Sequence, residues 1–319
     1  KKYYKPDDPL IFVLDKKTKR RTQISFSSEQ FMDERDQSLR EADPDYLVQI
    51  FDALKNIQKY GLSKKVDVLR KTLLAQNPST PPEALAQLAR DESVIVRIHV
   101  AQNKSAPPEA LAQLAKDKDK DVYVRAHVAM NQSTSPETLT LLAKAKEEYV
   151  RAHAAGNPST PLEVLTQLAR DESANVRKYT AQNKSVTPKV LALLAKDEDS
   201  IVRASVATNQ STPPEVLAQF AGDKHANIRT YTAKNESTPP EALAQLAKDE
   251  NVHIRAYVAT NQSTPLETLA QLAKDKDVYV RTHVAMNQST PLEVLAQLTR
   301  DKDSSVRDCA QDNLSGRNK

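Results

Sequence analysis

Between Val202 and Asp223 the chain reads VRASVATNQSTPPEVLAQFAGD, and this motif recurs, with small changes, along most of its length. One asparagine marks its register. The positions are Asn77, Asn103, Asn131, Asn157, Asn183, Asn209, Asn235, Asn261, Asn287 and Asn313. Eight of the nine intervals are 26 residues, and the interval from Asn103 to Asn131 is 28 because of two extra residues between Lys116 and Asp121. A fixed period of this length is typical of a solenoid or a propeller.

Each period contains two helix-like segments. In the segment STPPEALAQLA at 79–89, Thr80 is predicted to be the N-cap, Pro81 the first helical residue and Glu83 its capping-box partner. The segment before the next asparagine has its valines four apart on one face, and Asn103 is predicted to close it in the left-handed conformation. No strand-like alternation lies inside the period, which argues against propeller blades.

Composition limits the fold and the class of function. Among 319 residues only 39% are apolar and 5% aromatic, with no Trp, which favours a thin core of Leu, Val and Ala. The net charge of +4 gives no argument for a nucleic-acid or membrane binder. The single Cys309 cannot form an internal disulfide, so a cytoplasmic location is expected. The apolar run from Leu10 to Leu14 is too short to span a bilayer, and no membrane insertion is predicted. Because the chain begins at Lys1, it is expected to be a fragment or a processed product.

The repeat resembles the leucine-rich repeat variant family over roughly Val66 to Asn313. The resemblance rests on the pattern Val-Arg-x-x-Val-Ala-x-Asn-x-Ser-Thr-Pro-x-Glu-x-Leu-x-x-Leu-Ala-x-Asp. It implies short two-helix repeats akin to HEAT and armadillo arrays, in an all-α, right-handed superhelical solenoid of about nine repeats. Some members of that family carry an N-terminal cysteine cluster that holds an iron-sulfur centre. This sequence has no Cys before residue 309, so neither that cluster nor any other cofactor is predicted.

Eight repeats carry an Asp with an Arg six residues later. The pairs are Asp91 and Arg97, Asp119 and Arg125, Asp171 and Arg177, Asp197 and Arg203, Asp223 and Arg229, Asp249 and Arg255, Asp275 and Arg281, and Asp301 and Arg307. One interpretation makes the arginines a row of phosphate contacts. The other links each Asp to arginines of its own or the neighbouring repeat. We favour this internal ladder, because a row meant for phosphate would not carry a carboxylate in nearly every repeat.

Three further columns are candidate contact positions. The second column, two residues after each Arg, holds His99, His127, His153, Tyr179, Ser205, Tyr231, Tyr257, His283 and Cys309. We interpret it first as a half-buried seam between helices. A partner-binding surface is the second interpretation and a metal site the third. The third column consists of glutamates that are capping-box candidates. Four residues after it, on the same helix face, lies a stripe of glutamines: Gln87, Gln113, Gln167, Gln219, Gln245, Gln271 and Gln297. This glutamine stripe is either a partner-binding surface or a product of recent duplication. The fourth column, just before each Asn, varies, and tolerance is favoured over partner-specific contacts.

The N-terminal segment, residues 1–65, lacks the repeat and is predicted to cap the solenoid of residues 66–313. Strands are predicted at Leu10–Leu14 and Thr22–Phe26, followed by helices near Ser28–Glu41 and Asp45–Tyr60. A basic turn between the strands is a candidate patch for an acidic partner, although a solvated loop is the favoured interpretation; its cations are Lys16, Lys17, Lys19, Arg20 and Arg21. Residues 314–319 are predicted to fray.

The sequence predicts a non-enzymatic module that holds a macromolecular partner, most simply a protein, on its repeat surface. It contains no glycine-rich phosphate loop, no paired Cys or His motif and no nucleophile elbow. One alternative is a nucleic-acid-binding protein resembling HEAT-like DNA glycosylases, which would need a continuous positive groove. Another is a sensor or assembly segment of a larger protein. The partner and the oligomeric state do not follow from the sequence.

Overall fold

The computed structural model describes residues 63–117 and 121–317 and, in the N-terminal segment, three short strands; side chains are described in 67–117 and 121–317. The chain divides into two units, Lys1–Pro161 (unit 1) and Leu162–Lys319 (unit 2). None of the helices in these described parts is long and apolar enough to cross a membrane.

Unit 1 begins with an antiparallel sheet of order β1-β2-β3, in which Ile24 of β2 lies opposite both Ile11 and Phe31. The strands are β1 (Ile11–Leu14), β2 (Arg21–Ile24) and β3 (Phe31–Asp33). The helices of unit 1 are α1 (Ser63–Gln76), α2 (Pro82–Leu88), α3 (Val94–Gln102), α4 (Pro108–Leu114), α5 (Val122–Met130), α6 (Pro136–Leu142) and α7 (Glu148–Gly156).

Unit 2 is entirely helical in its described residues. Its helices are α8 (Leu162–Leu168), α9 (Ala174–Gln182), α10 (Pro188–Leu194), α11 (Ser200–Thr208), α12 (Pro214–Phe220), α13 (Ala226–Lys234), α14 (Pro240–Leu246), α15 (Val252–Thr260), α16 (Leu266–Leu272), α17 (Val278–Met286), α18 (Leu292–Leu298) and α19 (Ser304–Arg317). Each odd-numbered helix, called an A helix below, precedes a marker asparagine, except that α19 contains its own, Asn313. Each even-numbered helix, called a B helix, follows a marker asparagine.

Two-helix repeats stack in each unit, and the predicted all-α solenoid is confirmed. Within a unit, neighbouring A helices pack against one another along the stack. Each A helix buries one apolar face, as Ile254 and Val258 of α15 show, and each B helix buries leucines such as Leu269 and Leu272 of α16. A fully buried Leu stabilises the fold by roughly 1.5–3 kcal/mol. The core of unit 2 therefore runs continuously through several neighbouring repeats.

The ends of the chain correct two predictions. The hairpin is present, but the helix predicted over Ser28–Glu41 is wrong at β3, where backbone pairing with β2 makes a strand. The helix predicted over Asp45–Tyr60 lies outside the described residues. The predicted fraying of 314–319 is wrong for 314–317, because α19 continues to Arg317, whose guanidinium donates to the carbonyl of Thr290 (2.9 Å); residues 318 and 319 lie outside the described residues.

The marker asparagine does not close its helix in the left-handed conformation, and that prediction is wrong. In the A-helix ends from Asn103 to Asn287 its φ lies between −66° and −76° and its ψ between 124° and 130°, which is extended backbone. Its contribution to the fold comes from side-chain hydrogen bonds instead. Asn235 Nδ2 donates to the carbonyls of Ala207 (2.9 Å) and Asn209 (3.0 Å) in the preceding repeat, and Oδ1 accepts from the Ser237 amide (2.9 Å). Each rung thus ties one repeat to the repeat before it.

The predicted capping box is also wrong. Helix α2 begins at Pro82, with Pro81 at the N-cap and no side-chain cap, so Thr80 lies outside the helix. Its buried hydroxyl donates backward to the carbonyl of Leu74 (2.6 Å), in the last turn of the preceding A helix. The equivalent Thr238 donates to the Thr232 carbonyl (2.6 Å). This bond satisfies a carbonyl that a helix end leaves without an intrahelical partner.

Candidate functional site

The arginine column forms an internal ladder. Arg229 Nε donates to Asp249 Oδ2 of the next repeat (2.6 Å), while Nη1 donates to the backbone carbonyls of Asp223 (3.0 Å) and Lys224. In the same way Nε reaches the Asp Oδ2 of the next repeat in Arg97–Asp117, Arg177–Asp197, Arg203–Asp223, Arg255–Asp275 and Arg281–Asp301, at 2.6–3.0 Å. In the seven described pairs the Arg and the Asp six residues apart are thus joined through the Asp carbonyl, whereas Asp119, predicted to pair with Arg125, lies outside the described residues. The Asp carboxylate instead accepts a hydrogen bond from the arginine of the preceding repeat.

Hydrogen bonds keep the ladder carboxylates ionised. Burial alone would raise the pKa of Asp249, but the bonds from Arg229 and the Asn251 amide outweigh it and leave that pKa below its usual value. The pKa values of Asp197, Asp223 and Asp275 are lowered by the same balance. These arginines therefore have their charge neutralised inside the repeat stack.

Unit 1 contains two variations of this ladder. Asp91 pairs with Lys71 of α1 (2.8 Å), so a lysine takes the place of the arginine there. Arg125 pairs with Glu147 (2.9 Å), because Ala145 occupies the position where the other repeats have Asp. Arg125, in the repeat with the longer spacing, therefore still forms an ion pair, but its partner is a glutamate instead of an aspartate.

Most residues of the second column are half-buried, and several contact residues of the fourth column. Gln76 Nε2 lies 3.0 Å from His99 Nε2, His99 Nδ1 lies 3.0 Å from Gln102 Oε1, and Gln102 Nε2 lies 3.1 Å from His127 Nε2. In unit 2, Gln182 contacts Ser205 and the Lys234 ammonium lies 4.0 Å from the Tyr257 ring centroid. At these four positions the residue before the asparagine thus reaches the second-column residue of the next repeat, a contact that the sequence analysis missed. Tyr179 and His283 are half-buried, whereas Tyr231 is 38% exposed.

The surroundings of the unit 1 histidines favour the neutral imidazole. An amide nitrogen can only donate, so the ring nitrogens facing Gln76 and Gln102 must accept, which requires unprotonated imidazoles. Burial lowers the pKa of His127 and of His153, and the proximity of His127 lowers that of His153 further.

An outer position four residues before the second column was missed by the sequence analysis. It holds Ile95, Tyr123 and Tyr149 in unit 1, whose exposed fractions are 54%, 64% and 44%. Residues four apart on a helix share a face, which is the signal that would have found them. We call the face formed by the outer, second and fourth positions of α3, α5 and α7 the A-stripe of unit 1: Ile95, His99, Gln102, Tyr123, His127, Met130, Tyr149, His153 and Gly156.

The A-stripe of unit 1 contains no Lys, Arg, Asp or Glu, in a chain of which 28% of residues are charged. It presents two tyrosines and Met130, which is 49% exposed, and the Tyr149 and His153 rings meet edge to face at 4.4 Å. The corresponding face of unit 2 is also rich in rings, with His253 and Tyr279 of neighbouring repeats 5.9 Å apart. That face includes the charged Lys234, so unit 1 presents the more neutral surface.

The glutamine stripe lies on different helices from the second column. All seven glutamines are exposed on B helices. Gln113 accepts from Arg90 Nε (3.0 Å) and lines a concavity of about 770 Å³ together with Lys116. Gln271 lines one of about 320 Å³ in unit 2. The structure therefore separates the two sets of predicted partner-binding residues instead of joining them in one site.

The predicted basic patch lies outside the described side chains. Lys16, Lys17, Lys19 and Arg20 are not described, and of Arg21 only the backbone, in β2, is. Among the side chains that are described, no group of three or more His, Cys, Asp or Glu is placed to hold a metal ion.

The stacked two-helix repeats and their neutral A face define a helical-repeat protein of the solenoid class. The leucine-rich repeat variant model matches residues 70–93, 96–119 and 150–173, so these three stretches are leucine-rich repeat variant repeats, as the resemblance predicted. A solved leucine-rich repeat variant, described as having a novel repetitive structural motif, is 28% identical over 70% of this chain and 88% of its own, with a TM-score of 0.52. Escherichia coli YibA is 21% identical over 76% of this chain and 95% of its own, with a TM-score of 0.42. A search of the curated proteins finds no match.

Proposed function

We propose that the protein is a non-catalytic binding module that holds a protein partner on the A-stripe of unit 1. The observation that carries this proposal is the absence of charged residues from nine neighbouring surface positions, among them exposed Tyr123, Tyr149 and Met130. The core of a protein–protein interface is depleted of charge and enriched in Tyr and Met relative to other surface. A face that needed only to be soluble would carry the Lys and Glu found elsewhere on this chain.

The buried ladder supports a protein partner over a nucleic acid. Phosphate binding depends on cations that are free to replace counterions. Arg97, Arg255 and Arg281 are less than 10% exposed, and each donates to an aspartate of the next repeat. The single Cys309 supports the cytoplasm as the place where this binding occurs.

Selection from a random-peptide library tests the proposal even though the natural partner is unidentified. Peptides selected on the whole chain would be titrated by fluorescence anisotropy against the wild type and a Tyr123→Ala/Tyr149→Ala variant. We expect the variant to bind at least about tenfold more weakly, since aromatic anchors dominate interface energies. Both side chains are exposed, so their truncation leaves the core intact.

The matched control is Leu141→Ala, which truncates a 43% exposed side chain on α6, a B helix outside the A-stripe. This variant should bind within about twofold of the wild type. Selected peptides that bind the tyrosine variant as well as the wild type would contradict the proposal. Circular dichroism melting of all three proteins checks that they fold alike.

A further inference from the structure

The spacing of the A helices limits the conformation of a ligand that contacts every repeat. Packed helices lie about 8–10 Å apart. The outer residues Ile95, Tyr123 and Tyr149 occupy equivalent positions on the neighbouring helices α3, α5 and α7. A chain that runs along the stack must therefore present an equivalent group about every 8–10 Å.

An extended strand does not meet this requirement. Three strand residues span about 10 Å, but successive side chains point to opposite sides, so two residues three apart face in opposite directions. A polyproline II helix has about three residues per turn and rises about 3.1 Å per residue, so one side of it repeats about every 9.3 Å. This period fits one peptide turn to one repeat.

Hydrogen-bonding chemistry points to the same conformation. The phenol groups of Tyr123 and Tyr149 can donate from exposed positions on the A-stripe, which contains no Lys, Arg, Asp or Glu. A polyproline II backbone has no internal hydrogen bonds and leaves its carbonyls free to accept, and proline has no N–H that would need an acceptor. An α-helical ligand also has a seven-residue repeat of about 10.5 Å, but its backbone groups are already paired. The neutral, donor-bearing surface thus complements a neutral ligand that offers acceptors.

Aromatic side chains complete the match. Proline-rich segments dock in aromatic-lined grooves because their conformation is fixed before binding, which reduces the entropy lost. We propose that the A-stripe of unit 1 binds an uncharged proline-rich segment of a partner protein in the polyproline II conformation, with one peptide turn per repeat. This inference rests on the proposed function and specifies its partner.

The test is fluorescence anisotropy of the whole chain with a labelled peptide of Pro-Pro-Leu triplets, in which leucine returns to one side at every turn. The control peptide has the same composition in permuted order, so that its leucines do not share a side. We expect a micromolar dissociation constant for the triplet peptide and at least about tenfold weaker binding of the permuted one. Because no charge contributes, raising NaCl from about 50 to about 500 mM should change the affinity less than about twofold.

Two double variants separate the contribution of the rings from that of the hydroxyl groups. Tyr123→Ala/Tyr149→Ala should weaken binding of the triplet peptide at least about tenfold, and Tyr123→Phe/Tyr149→Phe should weaken it about threefold to fivefold, since each lost donor leaves a carbonyl less well satisfied. The control Leu141→Ala should bind like the wild type. Equal losses for the Phe and Ala variants would exclude the rings as part of the site.

The experiments distinguish a failure of the polyproline II inference from a failure of the A-stripe as the binding surface. No detectable binding of the triplet peptide, or equal binding of the permuted one, overturns the polyproline II inference. If library peptides then depend on Tyr123 and Tyr149 without a three-residue proline period, the A-stripe is still the binding surface. If library peptides are also indifferent to both tyrosines, the proposed function fails with the inference.

Discussion

Replacing Asn235 by alanine tests whether the asparagine rungs stabilise the stack. The side chain is 2% exposed and makes hydrogen bonds to Ala207, Asn209 and Ser237. A hydrogen bond contributes about 1 kcal/mol net, and a buried group left without its partner costs about 1–3 kcal/mol. Loss of three such bonds predicts a decrease of about 3 kcal/mol in the free energy of unfolding.

Urea unfolding followed by circular dichroism measures this decrease, and hydrogen exchange locates it. The Ser237 amide donates to Asn235 Oδ1, so its protection should fall in the variant. Asn227→Ala is the matched control, because Asn227 lies on α13, the helix that Asn235 follows, outside its buried face, and its effect should stay within about 0.5 kcal/mol. A loss below about 1 kcal/mol for Asn235→Ala, with unchanged Ser237 protection, would refute the role given to the rung.

Four further predictions concern the ladder and the threonine bond. Arg229→Lys should lower the free energy of unfolding by about 2 kcal/mol in urea, because lysine cannot hold the carboxylate and two carbonyls together, whereas Arg300→Lys on the exposed surface should have little effect. The lowered pKa values of the ladder carboxyls mean that their contribution is fully present above the unfolded-state pKa of about 3.9 and is lost as the pH falls from there through the folded-state pKa. Asp249→Asn should therefore be less stable at pH 7 and lose less stability on acidification, and parallel pH profiles for variant and wild type would contradict this. Ala145→Asp places a carboxylate at the ladder position and should raise the free energy of unfolding by about 1 kcal/mol. A decrease would show that the ladder has a different geometry at Arg125. Thr238→Val should cost about 1 kcal/mol by thermal melting, since it removes one bond to a helix-end carbonyl, and an unchanged melting temperature would count against that bond.

The repeating helix pair could be predicted from the sequence because its signals are local. Regular asparagine spacing, prolines at each B-helix start and valines four residues apart lie within a single repeat. They follow from backbone geometry and the burial of one helix face. The helix-closing role of Asn103 and the capping role of Thr80 were wrong for a physical reason. Both side chains bond to groups of a preceding helix, and local capping preferences do not contain that information.

The candidate surface could be predicted only in part. The second column was found because His and Tyr recur in register. The outer column includes Ile95, Tyr123 and Asn175, so no single residue type runs along it to reveal it. Its members share only their place on the A face. The pairing of the second and fourth columns depends on the distance between neighbouring repeats, which a one-dimensional period does not provide.

The longer interval between Asn103 and Asn131 shows where the array accepts extra length. Asn131 Nδ2 reaches the carbonyls of Ala101 and Asn103 at 2.8 and 2.9 Å, the same geometry as in repeats of 26 residues. The two additional residues precede α5 and leave this rung unchanged. The connection from a B helix to the following A helix is therefore a natural grafting point, where a foreign epitope or recognition loop can be inserted while the modules on either side keep their register.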